Sequence, residues 1–292
     1  MALISRILVP IEFSPRCKGA AHYAEALACR FHCEMVLLHV VASPVGALGS
    51  PEGMAYSSPP DVMPERIAER TADLEAFLGG EAKGIAVERI VVEGDPAREI
   101  VACADQRRAD LIVMPTHGYG PFRRLLLGSV TAKVLHDAGC PVWTGPHLEQ
   151  APAYDSISFH TVLCAIDLGP DSRPALTWAS AFAKEFGSAL TVLHILPTSL
   201  TRLDGIYFDA AWRQDVTRDV ADRISVLQQE LHAECEVLIE TGEVPAAVAD
   251  AAQTRKADLL VIGRGRHAHG LGRLRTNAYA ILRESPCPVA TI

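Results

Sequence analysis

The chain has 292 residues, 49% hydrophobic and 21% charged, with a formal net charge of −8. That length holds two ordinary domains or one large one, with the composition of a globular protein. The acidic balance argues against generic nucleic-acid binding, which needs a clustered basic face, but leaves room for a small anion in a local pocket.

Arg6–Ile11 is a short apolar run rich in β-branched residues and reads as a strand. Gly19–Phe31 follows with helical periodicity, and Met35–Val41 is a second buried run. Residues 42–64 are rich in Gly, Pro and Ser and read as a long loop. Pro64–Leu78 is amphipathic and helical, and Val87–Val92 is a strand. Asp95-Pro96 starts the next helix, with Pro in its first turn. Leu111–Met114 is a strand, a loop runs to Gly128, a helix continues to His136, and Val142–Thr144 closes the series.

The series then repeats. Residues 6–41 and 161–196 align at a constant offset of 155, with ten identities that include Leu8/Leu163, Pro15/Pro170 and His39/His194. The offset is 148 at Ala109-Asp110-Leu111 and 147 at Cys140-Pro141-Val142. Steady order with small drifts indicates duplication, with length changes confined to loops. The expected domains are residues 1–146 and 157–292, joined by the polar, Pro-containing linker Pro146–Ser156. Each copy alternates strand and helix from its first strand to its fifth. Continuous apolar strands between helices imply an open five-stranded parallel sheet covered on both faces, a Rossmann-like α/β fold.

In such a sheet, ligands bind beyond the carboxyl ends of the strands, where the strand order reverses. Glu12 follows the first strand and His39-Val40 the second. After the fourth comes Met114-Pro115-Thr116-His117-Gly118-Tyr119-Gly120, and the loop ends at Gly128-Ser129-Val130-Thr131. Glycine lets a backbone N–H approach an anion, and a helix beginning at Gly128-Ser129 turns its free N–H groups and positive dipole end toward it. The plainer alternatives stand beside this. Gly118 and Gly128 can serve only the turn and helix packing. Glu12 can cap the next helix or sit in solvent. His39 and His194 recur at a strand end, which favours a hydrogen-bonded structural histidine.

Thr116-His117-Gly118, nine residues, Gly128-Ser129 and a helix ending before Cys140-Pro141-Val142 resemble the universal stress protein family. The resemblance covers essentially the whole chain as two domains of the adenine-nucleotide alpha-hydrolase-like type. It implies ATP binding, with or without Mg, in copies that keep the loop, and a nucleotide-responsive stress regulator. Carried over by position, Glu12 stands where an Asp contacts the nucleoside, and Val40 meets adenine through its main chain. Met114, Pro115, His117 and Gly118 line ribose and phosphates, and Gly128, Ser129 and Val130 hold the phosphates. Glu12 departs from Asp by one methylene, and Pro115 replaces the first glycine and has no N–H.

In the second copy Arg275-Thr276 replaces Gly128-Ser129, while Asp167 keeps the acid. This copy is expected either to bind no nucleotide or to hold an anion through Arg264, Arg266, Arg273 and Arg275. The plainer reading of those arginines is a solvated basic loop. No catalytic residue and no metal site is assigned. His267 and His269 lack a third ligand, and Cys29, His32 and Cys33 lack tetrahedral spacing.

No Walker-type Gly-Lys-Ser/Thr stands in the loop, which weighs against the alternative of an ATPase or nucleotidyl-transfer enzyme. A protein that only dimerises is the third reading. The resemblance implies an intramolecular pseudo-two-fold pair of the two copies, with a homodimer also open to the chain. The segment Met1 to Glu12 carries no basic stretch before an unbroken apolar core, and no apolar run reaches bilayer length. Eight cysteines, none in a Cys-x2-Cys pair, fit a cytoplasmic chain with free thiols and no membrane partner.

Overall fold

The computed structural model describes residues 2–42, 62–78, 84–116, 127–145, 157–198, 202–203, 206–207, 210–265 and 276–292. The chain divides into two compact units, the first over residues up to Val142 and the second over Ser158–Ile292.

The first unit runs β1 (Arg6–Pro10), α1 (Pro15–Phe31), β2 (Glu34–Ala42), α2 (Val62–Ala76), β3 (Val87–Gly94), α3 (Pro96–Arg107), β4 (Leu111–Val113) and α4 (Ser129–Asp137), with β5 (Val142–Thr144) at the border. Its strands lie in the order β5-β4-β1-β2-β3. β1 pairs in parallel with β2 on one side and β4 on the other. The order therefore reverses beside β1, which opens a crevice between the carboxyl ends of β1 and β4. Ile7, Leu8, Val9, Leu37 and Leu111–Val113 are wholly buried, as an apolar strand covered on both faces must be.

Helix α1 begins four residues before the expected Gly19. Pro15 sits in its first turn, and the Ser14 hydroxyl accepts the Cys17 N–H at 3.2 Å, so the cap and not the first periodic residue sets the start. Helix α3 starts at Asp95-Pro96 as the sequence implies, with the Asp95 carboxylate accepting the Arg98 N–H at 3.1 Å.

The second unit repeats the order with β6 (Thr161–Ala165), α5 (Ser172–Phe186), β7 (Ala189–Pro197), a two-residue hairpin of β8 (Arg202–Leu203) and β9 (Ile206–Tyr207), α6 (Ala210–Leu231), β10 (Glu236–Gly242), α7 (Val244–Thr254), β11 (Leu259–Ile262), α8 (Thr276–Glu284) and β12 (Val289–Thr291). Its strand order is β12-β11-β6-β7-β10. Antiparallel pairing of β8 with β9 is an addition that the repeat did not foretell.

The duplicated Ala-Asp-Leu has a structural cause. Asp110 accepts the N–H groups of Ser5 and Arg6 at 2.7 and 3.0 Å, and Asp258 accepts those of His160 and Thr161 at 2.6 and 2.9 Å. Each carboxylate fastens the start of the fourth strand to the start of the first strand of its unit. Among the described residues, no helix is long and apolar enough to cross a membrane.

Candidate functional site

The residues after β1 form a tight, well-anchored turn. Ile11 donates its N–H to Leu38 O at 2.8 Å, and its own carbonyl takes a 2.7 Å bond from His39 Nδ1. His39 is therefore a hydrogen-bonded structural histidine, and His194 repeats the bond to Ile166 O at 2.9 Å. Burial lowers both histidines below their ordinary pKa, so the ring is neutral and Nδ1 carries the donating proton.

Glu12 is half-buried. Burial pushes its carboxyl above the ordinary range, against the Ser14 hydrogen bond and the charge of Arg16. Ser14 Oγ donates to Glu12 Oε1 at 2.7 Å while capping α1. Glu12 thus does not cap the helix itself; Ser14 does, and Glu12 rests on the cap. Oε2 of Glu12 has no hydrogen-bond partner among the described residues. Between them Phe13 takes the left-handed conformation, φ 62°. Its ring lies 4.7 Å from that of His39 and meets Phe77 edge-on at 6.0 Å, with the Arg70 guanidinium 5.7 Å above it.

Val40 follows His39 at the end of β2 and is half-buried, in register with Val92. Met114 and Pro115 are buried beyond β4. Two bonds stitch this segment to the start of α4. Gly128 donates its N–H to Thr116 O at 2.8 Å, and Thr131 Oγ donates to Pro115 O at 3.1 Å. The stitch sets the first turn of α4 beside the end of β4.

Gly128 is the N-cap of α4 and supplies no capping side chain. Its φ of −63° and ψ of 145° suit any residue, so the turn does not demand glycine. What glycine contributes is a bare approach to the helix start. Ser129 is exposed and Val130 half-buried in that first turn. His117 and Gly118 lie outside the described residues.

The second unit builds the same corner differently. Asp167 is exposed, and its Oδ1 accepts the Gly169 N–H at 2.8 Å and the Ser172 hydroxyl at 3.2 Å. Leu168 is left-handed like Phe13, at φ 59°. A groove of about 490 Å³ lies between this loop and α6, lined by Leu168, Pro170, Arg173, Arg223, Val226 and Glu230 among others.

Gly263 stands where the first unit has Pro115, and a Cβ on it would lie 2.7 Å from Asp171 Cβ, so this position needs glycine. Arg264 corrects the expectation of a solvated basic loop. It is 2% exposed, its Nη2 donates to Thr291 O at 3.3 Å, and its N–H donates to Ile292 O at 3.1 Å. The side chain ties β11 to β12 because the carbonyls at that strand end need donors. Arg266, Arg273 and Arg275 lie outside the described residues. Thr276 begins α8 as Ser129 begins α4, which supports the matching of the two loops.

Comparison with known proteins agrees with this architecture. The model of the universal stress protein family matches residues 4–144 and again 158–292. Universal stress protein MJ0531 of Methanocaldococcus jannaschii is 33% identical over 141 residues, 48% of this chain and 81% of the relative. Universal stress protein Mb2028c of Mycobacterium bovis is 27% identical over 228 residues, covering 76% of this chain and 75% of the relative. The crystal structure of a universal stress protein from Archaeoglobus fulgidus shares the fold at TM-score 0.66 and 24% identity, over 98% of this chain and 95% of that one. Both halves of the sequence, the repeated strand order and the repeated corner after the first strand lead to one conclusion: the chain belongs to the universal stress protein family, with two family domains in tandem.

Proposed function

We propose that the first unit binds an adenine nucleotide, ATP foremost, and that the chain acts as a nucleotide-responsive regulator in a stress response. The observation that carries this is the stitch from Gly128 N–H to Thr116 O, which brings an uncapped helix start to the carboxyl end of β4. An N-terminus with no capping side chain offers N–H donors and a positive dipole end to phosphate. After the neighbouring strand β1, Glu12 has one carboxylate oxygen with no hydrogen-bond partner among the described residues, which suits hydroxyl or amine donors. These residues fit a nucleotide. The N–H groups of Ser129 and Val130 would hold phosphate, with Gly128, whose own N–H goes to Thr116 O, leaving the approach bare. Met114 and Pro115 would flank the ribose, and Glu12 with the Val40 main chain would meet the nucleoside.

The second unit is read as a poor nucleotide site. Its acid already holds its own loop, and Arg264 is spent on β12.

Calorimetry on the intact chain, with and without Mg, tests the proposal. About one ATP per chain is expected from a single helix-start site. Two equivalent sites would overturn the division between the units, and no binding would overturn the function. Release of phosphate at a steady rate would move the protein to the enzyme class.

A further inference from the structure

The two corners use different devices to hold the same backbone, and the difference bears on the acid. Both residues after the acid are left-handed, Phe13 at 62° and Leu168 at 59°. A non-glycine residue there needs support from its surroundings. In the second unit the acid gives that support. Asp167 Oδ1 accepts the N–H of Gly169, two residues on, the turn that an Asp side chain makes with its own backbone. Glu12 is one methylene longer and makes no such bond among the described residues. Its Oε1 meets the Ser14 hydroxyl. Support comes from the ring of Phe13, which contacts His39 and Phe77 and lies under the Arg70 guanidinium, while Arg70 is itself fixed by Asp73 at 2.7 Å. His39 in turn holds the Ile11 carbonyl just ahead of Glu12.

We infer that Phe13 is a positioning residue: its ring contacts with His39 and Phe77 take over the task of fastening the loop, and so leave the Glu12 carboxylate to receive the nucleoside end of a ligand. This rests on the nucleotide reading of the first unit and adds to it the residue that makes its acid available. Glu12 and Phe13 act as a set, and Asp167 and Leu168 as the other. The acid of the second unit accepts a backbone N–H of its own loop, and that of the first accepts none among the described residues.

The test replaces Phe13 with the second unit's residue, Phe13→Leu, in the full chain. Adenosine affinity is expected to fall about tenfold, while inorganic tripolyphosphate binds as in the parent, because only the nucleoside end is disturbed. Phe13→Tyr keeps the ring and should restore adenosine binding. A second readout needs no ligand. Carbon-detected NMR of the Glu12 carboxyl should show its titration, raised by burial in the parent, returning toward the ordinary glutamate range in Phe13→Leu. If Phe13→Leu does not fold, Phe77→Leu removes the edge contact and serves in its place. A folded variant whose Glu12 titrates as in the parent overturns the inference, and so does one that binds adenosine as the parent does. A parent that binds neither adenosine nor ATP would defeat the nucleotide reading alone, and the Glu12 titration would still decide whether Phe13 positions the acid.

Discussion

The first and second units share a backbone plan and part company at the ends of their strands. After the first strand, one has a half-buried glutamate beside a cluster of aromatic rings, the other an exposed aspartate bonded to its own loop. After the fourth, one has Pro115-Thr116 stitched to the start of a bare helix, the other Gly263-Arg264 with the arginine drawn down onto β12. The scaffold between these ends is retained. The aspartates that clamp the fourth strand and the histidines that hold the first are duplicated with nearly the same bond lengths. A duplicated domain keeps what folding requires in both copies and varies what only a ligand requires. Recurrence across the copies therefore marks packing, and divergence marks the place to look for chemistry.

The sharpest way to break this comparison is at Gly128. Its backbone angles suit a β-branched residue, so Gly128→Val should fold. The new side chain would stand over the start of α4 and block the phosphates. ATP affinity should fall on the order of 100-fold, ~2.7 kcal/mol, with adenosine nearly unchanged. Ser129→Ala, which removes one exposed hydroxyl and leaves the backbone donors, should cost only about 1 kcal/mol. Calorimetry with both ligands, after circular dichroism establishes folding, gives the answer. Equal ATP affinity in a folded Gly128→Val would remove phosphate from this corner.

Next in size is Arg264, the residue that most separates the second unit from the first. Arg264→Ala should destabilise the protein by about 2 kcal/mol in chemical denaturation, since a buried charge-assisted bond to the end of β12 is lost. Nucleotide and phosphate binding should not change. Weakened anion binding with stability intact would return Arg264 to a ligand role and erase the contrast drawn here.

The smallest expected effect concerns the feature both units share. His39 and His194 have folded pKa values lowered by burial, so the unfolded chain takes up protons that the folded chain refuses. Their contribution is fully present above the unfolded value near 6.5 and is lost as pH falls from there through the lower folded value. Denaturation midpoints measured from pH 8 to pH 5 should fall, and His39→Gln combined with His194→Gln should flatten that slope. An unchanged slope in the folded double variant would mean that neither imidazole is held neutral by its corner.

The sequence alone determined the duplication, the alternation of strand and helix, and the helix that begins at Ser129. These are local or periodic properties: apolar runs, a Pro after a capping residue, glycine ahead of a helix, and identities at a fixed offset. The start of α1 shows where that reading stopped, because Ser14 caps a helix whose apolar period becomes visible only at Gly19. Other decisions belonged to tertiary structure. Asp110 looked like a marker of the repeat and is a clamp between residues 104 and 105 positions apart. Arg264 looked like part of a basic loop and is buried against a strand that follows it by 27 residues. Phe13 carried no signal at all, because its partners are distant in sequence: His39 on β2, Arg70 on α2 and Phe77 just after that helix. A pattern along the chain records what each segment must bury; which distant donor meets which acceptor is settled only when the sheet brings the strand ends together.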